Sequence, residues 1–116
     1  MATKMQRLLP SLREKKRYLV FRVLSKSKIQ SQNNLLSQLK LEISSYFGQL
    51  GMSLAGIQLM KELYNPETQS GIIRVSNRFV NQLKTSLMLI TQLNESEVIV
   101  KSVNVSGMIN KAKTHI

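Results

Sequence analysis

The segment 17–24 (RYLVFRVL) is a hydrophobic run rich in β-branched and aromatic residues, a pattern that predicts a β-strand. Successive side chains of a strand point to opposite faces of its sheet. One face would carry Leu19, Phe21 and Val23, and the other would carry Tyr18, Val20 and Arg22. The chain is therefore expected to enter its first strand here, directly after a run of basic residues.

Hydrophobic residues in the segment 31–51 recur every four positions and predict an amphipathic helix. The side chains expected to face the core are Leu35, Leu39, Ile43 and Phe47, with Leu36, Tyr46 and Leu50 widening the apolar stripe. Ser31 or Asn33 could cap the start of this helix by accepting hydrogen bonds from free backbone N–H groups. Gly48 or Gly51 could end it.

Two further strands are predicted between residues 56 and 76. Alternation in 56–64 (GIQLMKELY) indicates the second strand, although Lys61 interrupts the pattern. The segment 65–71 (NPETQSG) has the composition of a turn, and 71–76 (GIIRVS) indicates the third strand. The two strands are expected to form an antiparallel hairpin.

The rest of the chain repeats the order of helix and strand. A second helix is predicted over 78–93, with Ser76 or Asn77 as its cap. Its core-facing side chains would be Phe79, Val80, Leu83, Leu87 and Ile90. The segment 97–105 (EVIVKSVNV) predicts a fourth strand, and 106–116 predicts a short, basic helix.

The resulting order predicts an α+β fold of the ferredoxin-like (RRM-like) βαββαβ type. In this sandwich, two main helices cover one face of a four-stranded antiparallel sheet, here followed by a short C-terminal helix. We expect one domain, 1–116, in which residues 1–15 form a basic segment leading into the first strand. The second face is partly apolar at Tyr18, Val20 and Ile72, and the terminal segments, a second copy or another protein could cover it.

Basic residues far outnumber acidic ones along the chain. There are 17 Lys and Arg against 6 Asp and Glu, which gives a formal net charge of +11. Copies of such a chain repel one another unless a polyanion neutralises them, so the charge indicates nucleic-acid binding, with solubility alone as the alternative. The basic residues concentrate in 4–28, where Glu14 is the single acid, and in the acid-free segment 101–116.

The sequence predicts no catalytic, metal or cofactor site. It has no cysteine, a single histidine (His115) and six scattered glutamates, of which Glu95 and Glu97 could share a strand face but are expected to be solvated. The glycines of 48–56 (GQLGMSLAG) lack the lysine of a phosphate-binding loop. Without a long apolar run or a secretory signal, a cytoplasmic protein with no membrane partner is expected.

Aromatic residues bear on how RNA could be bound. Ferredoxin-like sheets often stack bases on aromatic side chains of the first and third strands. The predicted third strand has none, the first offers only Tyr18 to the open face, and aromatic residues make up 5% of the chain. We therefore expect contacts to phosphates and 2′-hydroxyls of a folded RNA, which position a protein without reading sequence.

Three segments resemble the archaeal ribonuclease P protein component 2 family, which includes the eukaryotic subunit shared by ribonuclease P and its mitochondrial-RNA-processing relative. They are 12–21 (LREKKRYLVF), 64–80 (YNPETQSGIIRVSNRFV) and 103–112 (VNVSGMINKA). The segments lie in the expected order and reach both ends of the chain. In the third segment the family pattern usually reads Ser-Gly-Thr-Ile, whereas this chain has Met108 in place of the threonine.

The resemblance implies a non-catalytic, RNA-binding subunit of an archaeal ribonuclease P, whose RNA removes the 5′ leader of precursor tRNA and binds the Mg²⁺. The implied partners are the ribonuclease P RNA, precursor tRNA and a TIM-barrel protein subunit, and self-association is left open. The alternatives are another RNA-associated ferredoxin-like module, such as a ribosomal protein, and a stand-alone enzyme or small-ligand regulatory domain.

The candidate RNA-binding residues lie near both ends and on the presumed open face: Arg13, Lys15, Lys16, Arg17, Arg22, Arg74, Arg78, Lys111 and Lys113. The first four are expected to contact phosphates, although Glu14 could pair with one of them within the protein. Arg22 and Arg74 could instead meet acidic groups of a protein partner. Arg78, in the first turn of its predicted helix, opposes the helix dipole and so indicates a nearby anion.

Overall fold

The computed structural model describes residues 15–26, 32–93 and 95–116, and its sheet is built around one central strand. The strands are β1 (Lys16–Ser25), β2 (Gln58–Leu59), β3 (Ser70–Ser76), β4 (Gln92–Leu93) and β5 (Ser96–Ser106). They form an antiparallel sheet in the order β2-β3-β1-β5-β4, so β1 pairs on both sides. The α-helices of the described residues are α1 (Gln32–Ala55), α2 (Val80–Met88) and α3 (Ile109–Lys113).

The predicted α+β sandwich is confirmed, but the number of strands is wrong. The sheet has five strands rather than four, because the chain leaves the second helix early. The expected helix 78–93 begins with a 3-10 turn at Asn77–Phe79 and ends at Met88, after which Gln92 and Leu93 pair with β5. Leu93 is fully buried and three residues from Ile90, so its spacing also fits a helix.

The predicted second strand is much shorter than the alternating pattern suggests. Only Gln58 and Leu59 pair with β3, and a 3-10 turn then occupies Lys61–Leu63, where the charged Lys61 already interrupted the pattern. The predicted turn is confirmed, since Asn65 and Ser70 form a bridge that closes it. Within this turn the Asn65 side chain accepts a hydrogen bond from the backbone N–H of Glu67.

Helix α1 is interrupted at Gly48, which has φ 74° and ψ 169°. The expected apolar stripe is buried at Leu35, Leu36, Leu39 and Ile43. After the break the prediction is wrong: Leu50 is 73% exposed, because the change in the backbone shifts the phase of the following turn. The prediction is also wrong at Tyr46, which precedes the break, is exposed and lies edge-on to Phe47. Gly48 thus interrupts the helix, which then resumes and runs to Ala55.

The predicted helix caps are wrong at Asn33 and at Ser76. Asn33 lies inside α1 rather than before it, and Ser31 lies outside the described residues. Ser76 occupies the N-cap position of the 3-10 turn, but its side chain makes no capping hydrogen bond. The 3-10 turn that leads into α2 is therefore fixed by packing rather than by a side-chain cap at Ser76.

The main core lies between the sheet and the two long helices. Leu19, Phe21 and Val23 of β1 contribute to it, as do Leu83 and Leu87 of α2. The ring of Tyr64 packs against Phe21 with 6.5 Å between the ring centroids, and burial raises the pKa of the Tyr64 phenol to about 12. The alternation predicted for the first strand is confirmed on this face.

The opposite face of the sheet, which we call the second face, holds a smaller apolar cluster. Val20 of β1 and Ile72 of β3 are fully buried there against Ala112 of α3. Partly buried side chains complete this cluster: Tyr18, Met60, Leu63 and Ile116. The C-terminal segment is therefore what covers this part of the second face, one of the three covers that the sequence left open.

Strand β5 has an irregularity at Val103, after which its side chains alternate between the two faces in the opposite phase. Asn104 pairs with Val20, whereas Ser102 pairs with Phe21, so Val103 is an extra residue between two registers. Such a bulge lets the two halves of one strand present their side chains in opposite phase. As a result Val98 and Val100 face the main core, and Lys101 lies on the second face opposite Arg22.

Gly48→Ala tests the break in α1. The backbone angles at Gly48 belong to a region that residues with a Cβ rarely adopt, and no atom lies within 4 Å of the added Cβ, so the cost is backbone strain alone. We expect the free energy of unfolding in chemical denaturation to fall by about 1–3 kcal/mol. Ser53→Ala, at an exposed position of the same helix, is the control and should be neutral or stabilising. An unchanged stability in Gly48→Ala would contradict the break.

Met108→Thr tests the start of α3. Met108 is the N-cap residue, with extended backbone angles and no side-chain hydrogen bond, and it is 56% exposed. A threonine hydroxyl there can accept a hydrogen bond from a free N–H group of the first turn. Met108→Val is the matched control, because valine has the same shape without the hydroxyl. The threonine variant should be more stable than the valine variant by about 0.5–2 kcal/mol in thermal or chemical denaturation, and equal stabilities would argue against the cap.

Candidate nucleic-acid interface

Several of the predicted basic residues meet at one end of the sheet. Lys15, Lys16 and Arg17 lie where β1 begins, and antiparallel pairing places the end of β3 beside them. The backbone N–H of Asn77 donates to the carbonyl of Lys15 at 2.7 Å, which brings Arg78 next to the same end. We call this group of Lys15, Lys16, Arg17 and Arg78 the basic end of the sheet.

Two glycines let the side chains of the basic end lie close to the backbone. A Cβ added at Gly107 would stand 2.6 Å from Nη1 of Arg17, so the guanidinium lies against the turn that follows β5. A Cβ added at Gly56 would stand 2.7 Å from Nζ of Lys16. Gly56 directly follows α1, and a cation near a helix C-terminus is stabilised by the helix dipole. Lys16 is therefore placed to stabilise the protein itself as well as to meet an anion.

Exposure differs among the cations of the basic end. Lys15 and Arg78 are exposed, whereas Lys16 and Arg17 are half-buried. Arg78 lies in the 3-10 turn that precedes α2 rather than in the first turn of the α-helix itself. The structure thus brings together four of the nine candidate residues. Arg13 and its neighbour Glu14 lie outside the described residues, as does most of the predicted basic segment 1–15.

Arg22 and Arg74 share the second face but differ in their surroundings. The Nε of Arg22 donates to the hydroxyl of Ser70, its cross-strand partner, at 3.1 Å. The Nε of Arg74 is buried and makes no hydrogen bond within the described part of the chain. A buried donor without a partner costs about 1–3 kcal/mol. The protein therefore carries one buried, unsatisfied guanidinium N–H, that of Arg74 Nε, on its second face.

Cross-strand pairing places Arg74 in a row of polar side chains. The row crosses four strands in the order Gln58, Arg74, Tyr18, Ser106. The neighbouring rows along β1 carry Lys16 on one side and the covered apolar pair of Val20 and Ile72 on the other. The sequence places Tyr18 and Arg74 in separate segments, so their contact depends on a register that the sequence alone does not fix.

The rest of the second face is basic as well. Lys101 of β5 is the cross-strand partner of Arg22, and sequence reasoning missed it as a candidate. The valines of this strand fall at even positions up to Val100 and at odd positions from Val103 onward. This change in the alternation is the signal that could have identified Lys101. From Lys16 to Leu24, the cross-strand rows contain Lys16, Arg74, Arg22 and Lys101 and no acidic residue.

Helix α3 adds exposed cations beside this face. Lys111 and Lys113 are exposed on α3, whose Ala112 faces the sheet between them in sequence. The single histidine, His115, is exposed just beyond the helix. Within residues 15–26, 32–93 and 95–116, no three side chains of the types that bind metal ions lie together. No helix in these ranges is both long and apolar enough to cross a membrane.

A cavity of about 520 Å³ lies at the other end of the sheet. Leu24 and Ile99 line it and are cross-strand partners on the second face, 44% and 65% exposed. Glu97 and Lys26 add one charge of each sign to its rim. This mixed lining differs from the basic end, which contains only cations.

Comparison with known proteins identifies the family. The family model described as the Rpp14/Pop5 family matches residues 17–116. The chain is 33% identical over 112 residues to ribonuclease P protein component 2 of Pyrococcus abyssi, covering 95% of this chain and 91% of that protein. It is 33% identical over 108 residues to the protein of the same name from Methanosarcina mazei, covering 93% of this chain and 89% of that protein.

A solved structure shows a similar fold. A chain in a cryo-EM structure of yeast ribonuclease MRP aligns with a TM-score of 0.54 at 10% sequence identity, covering 89% of this chain and 86% of that one. At this identity the likeness concerns the fold alone. The sequence similarity, by contrast, extends over nearly the whole chain and agrees with the resemblance of its three segments. This chain therefore belongs to the Rpp14/Pop5 family.

Proposed function

We propose that this chain is a non-catalytic, RNA-binding protein subunit of ribonuclease P, acting with the RNA that removes the 5′ leader of precursor tRNA. The observation that carries the proposal is the similarity over nearly the whole chain to proteins named ribonuclease P protein component 2. Membership of the Rpp14/Pop5 family favours this function over that of a ribosomal protein or a stand-alone enzyme.

The basic end of the sheet supplies the proposed RNA contacts. Each phosphate that Lys or Arg neutralises releases condensed counterions, which drives binding and makes it dependent on salt. Lys16 and Arg17 belong to β1, whose next residues are anchored in the core at Leu19 and Phe21. The backbone of these cations is therefore fixed before RNA binds, so ordering on binding is confined to their side chains.

The protein and the RNA have different roles in the proposed function. The RNA binds the Mg²⁺ ions and carries out the cleavage, while this chain neutralises and positions phosphates of the RNA. Its proposed partners are the ribonuclease P RNA, precursor tRNA and a TIM-barrel protein subunit, and self-association belongs to the same proposal. With precursor tRNA as the substrate, the proposed location is the cytoplasm.

Reconstitution of precursor-tRNA cleavage tests this function. The cognate RNA and partner proteins are assayed with and without this chain, over a range of Mg²⁺ concentrations. We expect the chain to increase 5′ cleavage and to lower the Mg²⁺ concentration required, because its cations neutralise phosphates that Mg²⁺ would otherwise screen. Equal cleavage without the chain, or cleavage of precursor tRNA by the chain alone without ribonuclease P RNA, would contradict the proposal.

A pair of charge variants tests the basic end. Lys15→Ala/Arg17→Ala removes two cations there, and Lys40→Ala/Lys61→Ala removes two exposed cations elsewhere, so both have the same net charge. We expect the first variant to bind ribonuclease P RNA more weakly, with a log–log salt slope smaller by about 0.7–0.9 for each lost phosphate contact. Circular dichroism checks that both variants fold. Equal slopes in the two variants would remove Lys15 and Arg17 from the interface.

A further inference from the structure

Arg74 differs from the other arginine of the second face in what its guanidinium can bind. Both arginines lie in cross-strand rows of the same face, but Arg22 is held by Ser70 whereas Nε of Arg74 is buried and unsatisfied among the described residues. An arginine presents five N–H donors and no acceptor, so only acceptor groups can satisfy it. Any group that satisfies the Nε–H of Arg74 must therefore carry a hydrogen-bond acceptor and lie outside the described residues.

The neighbours of Arg74 are also donors without internal partners. Gln58 and Tyr18 flank it across the sheet, and within the described residues neither side chain makes a hydrogen bond. Adjacent strands lie about 4.8 Å apart, so the backbones of the three residues span roughly 10 Å. Three neighbouring side chains thus offer N–H and O–H donors to one acceptor-rich group.

The positive charge around this row favours an anion as the ligand of Arg74. The row is flanked by Lys16, and the cross-strand rows from Lys16 to Leu24 contain no acidic residue. On the other side the row borders the part of the face that α3 and Ile116 cover, and α3 carries the exposed Lys111 and Lys113. Cations spaced along a path fit a chain of phosphates better than a single carboxylate.

We propose that Gln58, Arg74 and Tyr18 form a binding site for one phosphodiester group of an RNA strand, with the Arg74 guanidinium as its principal donor. Guanidinium matches phosphate oxygens in a two-point, charge-assisted geometry. The site rests on the proposed RNA-binding function and deepens it, because it names a contact on the second face, in the row next to Lys16. It uses hydrogen bonding rather than base stacking, in keeping with the half-buried Tyr18.

The Nε–Hε signal of Arg74 in a ¹⁵N-correlated NMR spectrum reports on this site directly. The probes are inorganic phosphate, a short single-stranded oligoribonucleotide and an RNA duplex, each added to the full chain. We expect RNA to shift the Arg74 signal more than the Arg22 signal, since Arg22 already donates to Ser70. An unshifted Arg74 signal on saturation with both RNAs would overturn the site. Equal affinity for inorganic phosphate and RNA would assign it to free phosphate instead.

Arg74→Met separates a binding role from a structural one. Methionine has a similar length and no donor to leave unsatisfied, so the folded variant should be no less stable than the parent chain. We expect roughly tenfold weaker binding to ribonuclease P RNA and a salt slope smaller by about 0.7–0.9. Lys40→Met, which removes one exposed charge from α1, is the matched control and should retain most of the affinity.

The outcomes distinguish this inference from the function on which it rests. If the parent chain binds the RNA and folded Arg74→Met binds equally well, the site is wrong while the proposed function stands. If the parent chain itself does not bind the RNA, the proposed function fails. Should Arg74→Met not fold, Arg74→Lys keeps the charge but loses the two-point geometry, and unchanged affinity in that variant would also overturn the site. Tighter binding of an acidic peptide than of RNA by the parent chain would assign Arg74 to a protein partner.

Discussion

The burial of β1 on both of its faces is the constraint on which the rest of the structure depends. Leu19, Val20 and Phe21 are consecutive and fully buried, although neighbouring side chains of a strand point in opposite directions. Both faces of the sheet must therefore be covered by other parts of the chain. Helices α1 and α2 cover one side, and the C-terminal segment with Ala112 covers the other. Pairing with β3 on one side and β5 on the other satisfies the backbone of the same strand.

The same constraint fixes the backbone of the basic residues in the proposed interface. Their strand cannot slide by one residue, because a slip would move Leu19 and Phe21 out of the main core and place Arg22 in it. The cations at the start of β1 are thus held at a fixed distance from the turn after β5 and from the end of β3. The positions of these surface residues are therefore set by apolar packing a few residues away along the same strand.

The sequence predicted those elements whose hydrophobic period is uninterrupted, and it failed where backbone geometry or register decides. The strand 17–24 follows from its run of β-branched and aromatic residues, and the buried part of α1 follows from four-residue spacing. The exposed Leu50 was missed because a glycine can either end a helix or only interrupt it, and spacing does not distinguish these cases. For the candidate site, positive charge at both ends was evident, but the row joining Gln58, Arg74 and Tyr18 exists only through the pairing of three distant segments.

The bulge at Val103 affects how this chain should be compared with its relatives. Because the two halves of β5 are out of phase, a residue-by-residue alignment through this strand is meaningful only if each half is aligned separately. A relative that lacks the extra residue would, in an ungapped alignment, match the core-facing Val100 to a solvent-facing position. Apparent substitutions between polar and apolar residues in this segment would then record a shift of one position rather than a change in the protein. Evolutionary rates estimated for β5 therefore depend on where a single gap is placed.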